Sequence, residues 1–204
     1  MTQNNIVTGE IASGKSEFCK ILSKLGYSVY YADKYTKMQY NKENLNQLEN
    51  IFEFKIDLLN IDYRKLREII VNDSKKKRKL EKFLWPKILL SIKKDIEKDN
   101  KIQKKKFCFI EIPLYFEARD IVDKILTPNK IIYIKRSYES RLEDLIKRDK
   151  ISPRLAKNHI DTLKYDSENY NKVDYIIDNN LDLNSLEKKA KNMIKLLETG
   201  EVIK

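Results

Sequence analysis

The stretch NNIVTGEIASGKSEFCKIL, residues Asn4–Leu22, decides how the rest of the chain is read. An apolar run at Ile6–Thr8 enters Gly9-Glu10-Ile11-Ala12-Ser13-Gly14-Lys15-Ser16, and a helical pattern follows. The eight loop residues match G-x-x-x-x-G-K-[ST] at every fixed position. The chemistry explains the spacing. Glycines let the backbone wrap closely enough for its N–H groups to face phosphate oxygens, and the helix that follows adds the positive end of its dipole. Lys15 reaches the β- and γ-phosphates of ATP, and the Ser16 hydroxyl ligates Mg²⁺. The chain has only four glycines, and two of them fall in register here, which sets aside a chance match. Glu10 places a negative charge where an anion is expected. Because such a loop binds through its backbone, the Glu10 side chain is expected to turn outward to solvent.

Length and composition narrow the class. A chain of 204 residues suffices for one α/β domain with insertions. Lys and Arg number 42 against 31 Asp and Glu, a net charge of +11. That draws anions without selecting among nucleotides, nucleic acid and acidic lipid. The two cysteines, Cys19 and Cys108, fall in a predicted helix and a predicted inner strand, which reads as buried free thiols in a reducing compartment. No stretch approaches the length of a membrane span and no signal core opens the chain, so a cytoplasmic protein is expected.

Around the loop, short apolar runs alternate with amphipathic stretches. Strands are predicted at Ile6–Thr8, Val29–Ala32, Phe107–Ile112, Ile131–Ile134 and Tyr175–Ile177. They do not alternate strictly with polar residues, which suits a parallel sheet covered on both faces. Helices are predicted at Lys15–Leu25, across a long region from Tyr35 to Lys98, and at Ser137–Asp149, Pro153–Leu163 and Leu183–Leu197. In the long region Leu80, Leu84, Ile88, Ile92 and Ile96 recur every four residues; Asp73 and Ser74 are caps for its start, and Pro86 is expected to kink or break it. A crossover needs about a dozen residues, so the segment between the second and third strands reads as a helical insert. The partition is a core of 1–34, 105–136 and 167–204, an acceptor-binding insert of 35–104 and a lid of 137–166.

Three further sites narrow what is done with the bound triphosphate. Asp33 follows a strand end, beside the cleft where such sheets bind ligands. It either accepts the proton of an attacking hydroxyl or caps the next helix; the phosphate loop one strand away favours the first. Glu111 ends a buried strand before Pro113 and reads as a Mg²⁺-holding carboxylate or as another cap. Arg141 and Arg148 lie seven positions apart on one face of a predicted helix. Cations on a helical flap would neutralise charge over the triphosphate, or they form a solvated basic helix with Glu143 and Asp144. His159, the only histidine, reads as a surface residue.

The order of these parts is phosphate loop, strand-end Ala32-Asp33, a helical insert with LEKFLWP, strand-end EIPLYFE, a basic lid ending in Arg148-Asp149, and VDYIIDNN near the end. In that order the sequence resembles the dephospho-CoA kinase family along nearly its whole length. The resemblance implies a P-loop kinase core with a five-stranded parallel sheet, a helical CoA-binding insert and a helical lid. It implies transfer of phosphate from ATP, with Mg²⁺, to the ribose 3′-hydroxyl of dephospho-CoA, the last step of coenzyme A synthesis. Gly9–Ser16 would then bind ATP, Asp33 would be the base, Arg67 would meet substrate phosphate through its Leu66-Arg67 pair, and Arg148 would be the lid arginine.

The departures from the family pattern are specific. Glu10 stands where the family usually has Gly, and Ala12 where it often has Gly. Tyr31-Ala32-Asp33 replaces Asp-Ala-Asp, Trp85-Pro86 replaces His-Pro, and Glu111 replaces Asp. In the lid, Arg141-Leu-Glu-Asp144 replaces Gln-x-x-Arg, so Arg141 is the expected stand-in for the lost cation; Leu163 replaces a Gln. Lys15, Ser16 and Asp33 survive, so an active but divergent kinase is expected. Two alternatives stay open: a P-loop kinase for another small hydroxyl or nucleoside monophosphate, and a nucleic-acid-associated P-loop ATPase. Against nucleic acid, the basic residues are dispersed, and the Lys75–Lys79 and Lys104–Lys106 runs read as solvated faces. The expected partners are small molecules, with no membrane, and the expected state is a monomer or a weak homo-oligomer.

Overall fold

Five strands, all parallel, form one sheet in the computed structural model, which describes residues 2–162 and 167–200. They are β1 (Gln3–Gly9), β2 (Ser28–Tyr31), β3 (Phe107–Glu111), β4 (Lys130–Lys135) and β5 (Tyr175–Asp178), in the order β2-β3-β1-β4-β5. The described helices are α1 (Lys15–Lys24), α2 (Ala32–Met38), α3 (Leu45–Phe52), α4 (Tyr63–Asn72), α5 (Ser74–Gln103), α6 (Arg119–Leu126), α7 (Tyr138–Asp149), α8 (Pro153–Thr162) and α9 (Leu183–Thr199), with a 3-10 turn at Ser167–Lys172. All five predicted strands appear, each within a few residues of its expected bounds.

Apolar residues on both faces explain why the strands read as near-continuous runs. Ile6, Cys108, Ile110 and Ile131 point into a core shared with α5 and α6. Their neighbours Val7, Phe107, Phe109 and Ile132 point the other way, against α1 and α9. Cys19 and Cys108 are buried free thiols in these two layers. No described helix is long and apolar enough to cross a membrane.

The region between β2 and β3 is four helices, of which α2, α3 and α4 each pack on α5. Asp73 caps α5, accepting from the backbone N–H groups of Lys75 and Lys76, while Ser74 is the first helical residue. Pro86 does not break α5, which runs without interruption from Ser74 to Gln103. A proline inside a helix costs about 3 kcal/mol, yet Leu84, Ile88, Leu89, Ile92 and Ile96 are all buried around it. Each buried aliphatic side chain contributes roughly 1.5–3 kcal/mol, so packing outweighs the lost hydrogen bond. Helix α6 escaped the sequence reading because its apolar positions span only eight residues.

Two phenols fix α5 to the neighbouring strand and helix. Tyr30 of β2 donates to Asp99 at 2.7 Å, and Tyr35 of α2 donates to Asp95 at 2.8 Å. Helices α7 and α8 form their own small core around Leu145, Ala156 and Ile160, and Ile11 and Ala12 of the phosphate loop pack against it. The end of the predicted lid, with Leu163, lies outside the described residues.

Candidate active site

β1 sits in the middle of the sheet, between β3 and β4, and the chain crosses from it to opposite sides. In open sheets of this kind the carboxyl ends of the strands at such a reversal form the ligand crevice. The register brings three sites to one level: Val7 pairs with Glu111, and Glu111 with Tyr31. The loop that follows β1, Glu111 at the end of β3 and Asp33 just after β2 therefore share one edge.

The loop's backbone requires its glycines. Gly9 has φ +143°, and a Cβ there would lie 2.2 Å from the Ile134 carbonyl oxygen. Gly14 has φ +90° and caps α1, and a Cβ there would lie 2.2 Å from Nδ2 of Asn179. The loop, α1 and α7 enclose a cavity of about 520 Å³ lined by Ala12, Ser13, Gly14, Lys15, Ser16, Asp144, Lys147 and Arg148.

Lys15 is buried and donates to the carbonyl oxygens of Gly9 at 3.0 Å and Glu10 at 2.7 Å. Burial pulls its ammonium pKa down to about 8, against the attraction of Glu111 and Asp33. Ser16 donates to Glu111 Oε1 at 3.1 Å. Burial pushes the Glu111 carboxyl up, opposed by the Ser16 hydrogen bond and by Lys15. Neither residue of this pair is a helix cap. These two oxygen donors suit a hard cation such as Mg²⁺, which takes few protein ligands and keeps water and substrate phosphates. No group of three or more His, Cys, Asp or Glu side chains able to hold a metal occurs among the described residues.

Asp33 is exposed in the first turn of α2, and its charge is felt by both Lys15 and Glu111. It is not a cap: Tyr31 occupies that position and makes no capping bond through its side chain. The phenols of Tyr30 and Tyr35 anchor the chain on either side of Asp33 to α5.

Glu10 of the loop and Arg141 of α7 depart from expectation. Glu10 does not turn to solvent: it is buried, and its carboxylate meets Arg141 Nε at 3.2 Å. A carboxylate excluded from water needs a partner, and α7 supplies it. Arg141 correspondingly does not line the cavity. Its Nε contacts the Glu10 carboxylate and also donates to the Arg136 carbonyl oxygen at 3.2 Å. The Arg136 side chain pairs with Asp144. Arg148 does line the cavity, bonded to its neighbour Asp149 at 2.7 and 3.0 Å. That bond holds the Asp149 carboxyl below the usual range, helped by Arg67 of α4 and His159 of α8. Arg67 is exposed on α4, and its charge reaches Asp149 at the end of α7. His159 is half-buried, and its Nδ1 is buried without a partner among the described residues, rather than a surface group.

Sequence reasoning missed the support given by the residues after β5. Asn179 donates from Nδ2 to the Ser13 carbonyl oxygen at 2.9 Å, and its own N–H bonds Lys135 at 2.8 Å. Asn180 Oδ1 accepts from the Ser137 N–H at 2.7 Å, at the start of α7. The DNN run after an apolar strand was visible, but its partners more than forty residues away were not.

A family model described as dephospho-CoA kinase matches residues 6–185. The dephospho-CoA kinase of Fusobacterium nucleatum is 34% identical over 94% of this chain and 96% of its own length. The solved structure of dephospho-CoA kinase from Campylobacter jejuni is 31% identical, covers 98% of this chain and 99% of its own, and superposes with a TM-score of 0.67. A structure from Thermus thermophilus superposes with a TM-score of 0.79 at 20% identity, over 96% of this chain and 98% of its own, a likeness of fold.

Proposed function

The chain belongs to the dephospho-CoA kinase family, and from that premise we propose that it transfers the γ-phosphoryl group of ATP to the ribose 3′-hydroxyl of dephospho-CoA, giving coenzyme A and ADP. The single observation that carries this reading is the convergence of the Gly9–Ser16 loop, Glu111 and Asp33 on one edge of the sheet. Backbone N–H groups of the loop hold the phosphates. The Lys15 ammonium leaves the Gly9 and Glu10 carbonyls for the β- and γ-phosphate oxygens. Asp33 takes the proton of the acceptor hydroxyl as its oxygen bonds to the γ-phosphorus and the bridge to ADP breaks. Arg148 exchanges Asp149 for the phosphoryl group in the transition state. The Ser16 hydroxyl and the Glu111 carboxylate would hold magnesium, which when bound neutralises charge on the β- and γ-oxygens. Arg67 contacts acceptor phosphate from the insert, residues 35–104, while residues 137–166 form the lid. Two buried free thiols support a reducing, cytoplasmic setting.

A coupled ADP assay over a panel of acceptors tests the reading. Turnover with dephospho-CoA, and little with shikimate or nucleoside monophosphates, supports it. ADP release that ignores dephospho-CoA refutes it.

A further inference from the structure

Glu10 is the point where the two stems of the lid meet the phosphate loop. Its carboxylate lies 3.2 Å from Arg141 Nε, on the first turn of α7. The backbone N–H of Arg136, just before that helix, donates to it at 3.4 Å. The Tyr170 hydroxyl, on the segment that follows the lid, donates at 3.4 Å. Both charged side chains are about nine-tenths excluded from solvent, at 9% exposure for Glu10 and 8% for Arg141. Tyr170 is held in turn by an edge-on contact with Tyr133 of β4, ring centroids 5.1 Å apart. The same lid helix carries Arg148 into the cavity two turns further on.

We infer that Glu10 and Arg141 form a clamp that fixes the base of the lid to the phosphate loop and thereby positions Arg148 over the triphosphate. Glu10 and Arg141 are positioning residues, not catalytic ones. Breaking a buried ion pair on one side leaves an uncompensated charge, whereas replacing both partners by neutral groups is often tolerated. The clamp therefore has a signature: each single substitution is worse than the pair. The inference rests on the proposed role of Arg148, so the test separates the two.

Glu10→Gln, Arg141→Gln and the double variant are made with Arg148 intact and with Arg148→Ala. Each is measured for kcat and KM with ATP and dephospho-CoA, and for hydrogen exchange of the α7 amides. Either single variant lowers kcat about 10- to 100-fold, the scale set by a misplacement of about 1 Å, and speeds α7 exchange; the double variant recovers most of both. With Arg148→Ala, neither single variant lowers kcat further. The clamp is refuted if α7 exchange is unchanged in both singles, if the double is no better than the singles, or if the loss of kcat is the same without Arg148. If Arg148→Ala leaves kcat unchanged, the role of Arg148 fails, and the exchange data judge the clamp on their own. Should Glu10→Gln not fold, Glu10→Asp, which keeps the charge and shortens the reach, takes its place as a single variant: it lowers kcat and speeds α7 exchange with Arg148 present and lowers kcat no further with Arg148→Ala, and unchanged α7 exchange refutes the clamp.

Discussion

Gly14→Ala tests how the phosphate loop is built. The added Cβ would lie 2.2 Å from Nδ2 of Asn179, at a residue with φ +90°. The left-handed backbone alone costs about 1–2 kcal/mol for a residue with a Cβ. The Asn179 amide must also move, which takes its 2.9 Å bond from the Ser13 carbonyl. A buried acceptor left without its donor costs about 1–3 kcal/mol. Together these give a loss of about 2–5 kcal/mol. For a domain of this size that is a fall in melting temperature of about 4–20 °C. Thermal unfolding of Gly14→Ala in the wild-type and Asn179→Ala backgrounds separates the two contributions. Without the asparagine amide only the backbone cost, about 1–2 kcal/mol, remains. An equal fall in both backgrounds would refute the contact, and no fall in either would refute the backbone argument as well.

Asp33→Asn should lower kcat by about 10²–10⁴ while leaving ATP affinity within about twofold, because the residue acts on the acceptor proton; a variant that turns over normally removes Asp33 as the base. The folded pKa of Lys15, about 8, lies below its value of 10.5 in the unfolded chain. Between these values the unfolded chain holds more protons, so this group's contribution to stability rises with pH. ATP needs the charged form, so its Kd should weaken as pH rises through about 8, approaching about tenfold per unit; calorimetry showing a flat Kd from pH 7 to 9 counts against it. Ile92 is fully buried at the heart of α5. Ile92→Ala should cost about 2–5 kcal/mol in denaturant unfolding, and a cost below about 1 kcal/mol would mean the insert does not pack as described.

The sheet was legible because strands buried on both faces announce themselves as short Ile-, Val- and Phe-rich runs. The phosphate loop was legible because its backbone geometry demands fixed residue types at fixed spacing. Long-range pairing was not. The sequence around Glu10 offers no sign of Arg141, which lies on α7 after β4, and a buried charge is recognisable only once its partner is in place. The same holds for Asn179, whose contact with Ser13 depends on β5 ending beside the loop. Pro86 shows the opposite limit: its local preference for ending a helix is outweighed by the burial of the residues around it.

A crystal structure of the protein with a non-hydrolysable ATP analogue, Mg²⁺ and dephospho-CoA tests whether Asp33 is the base. The Asp33 carboxylate is expected within about 2.6–3.2 Å of the ribose 3′-hydroxyl, with that oxygen in line with the terminal phosphorus held by Gly9–Ser16. A complex in which the hydroxyl is bound in line but another group, and not Asp33, is its hydrogen-bond partner would contradict it.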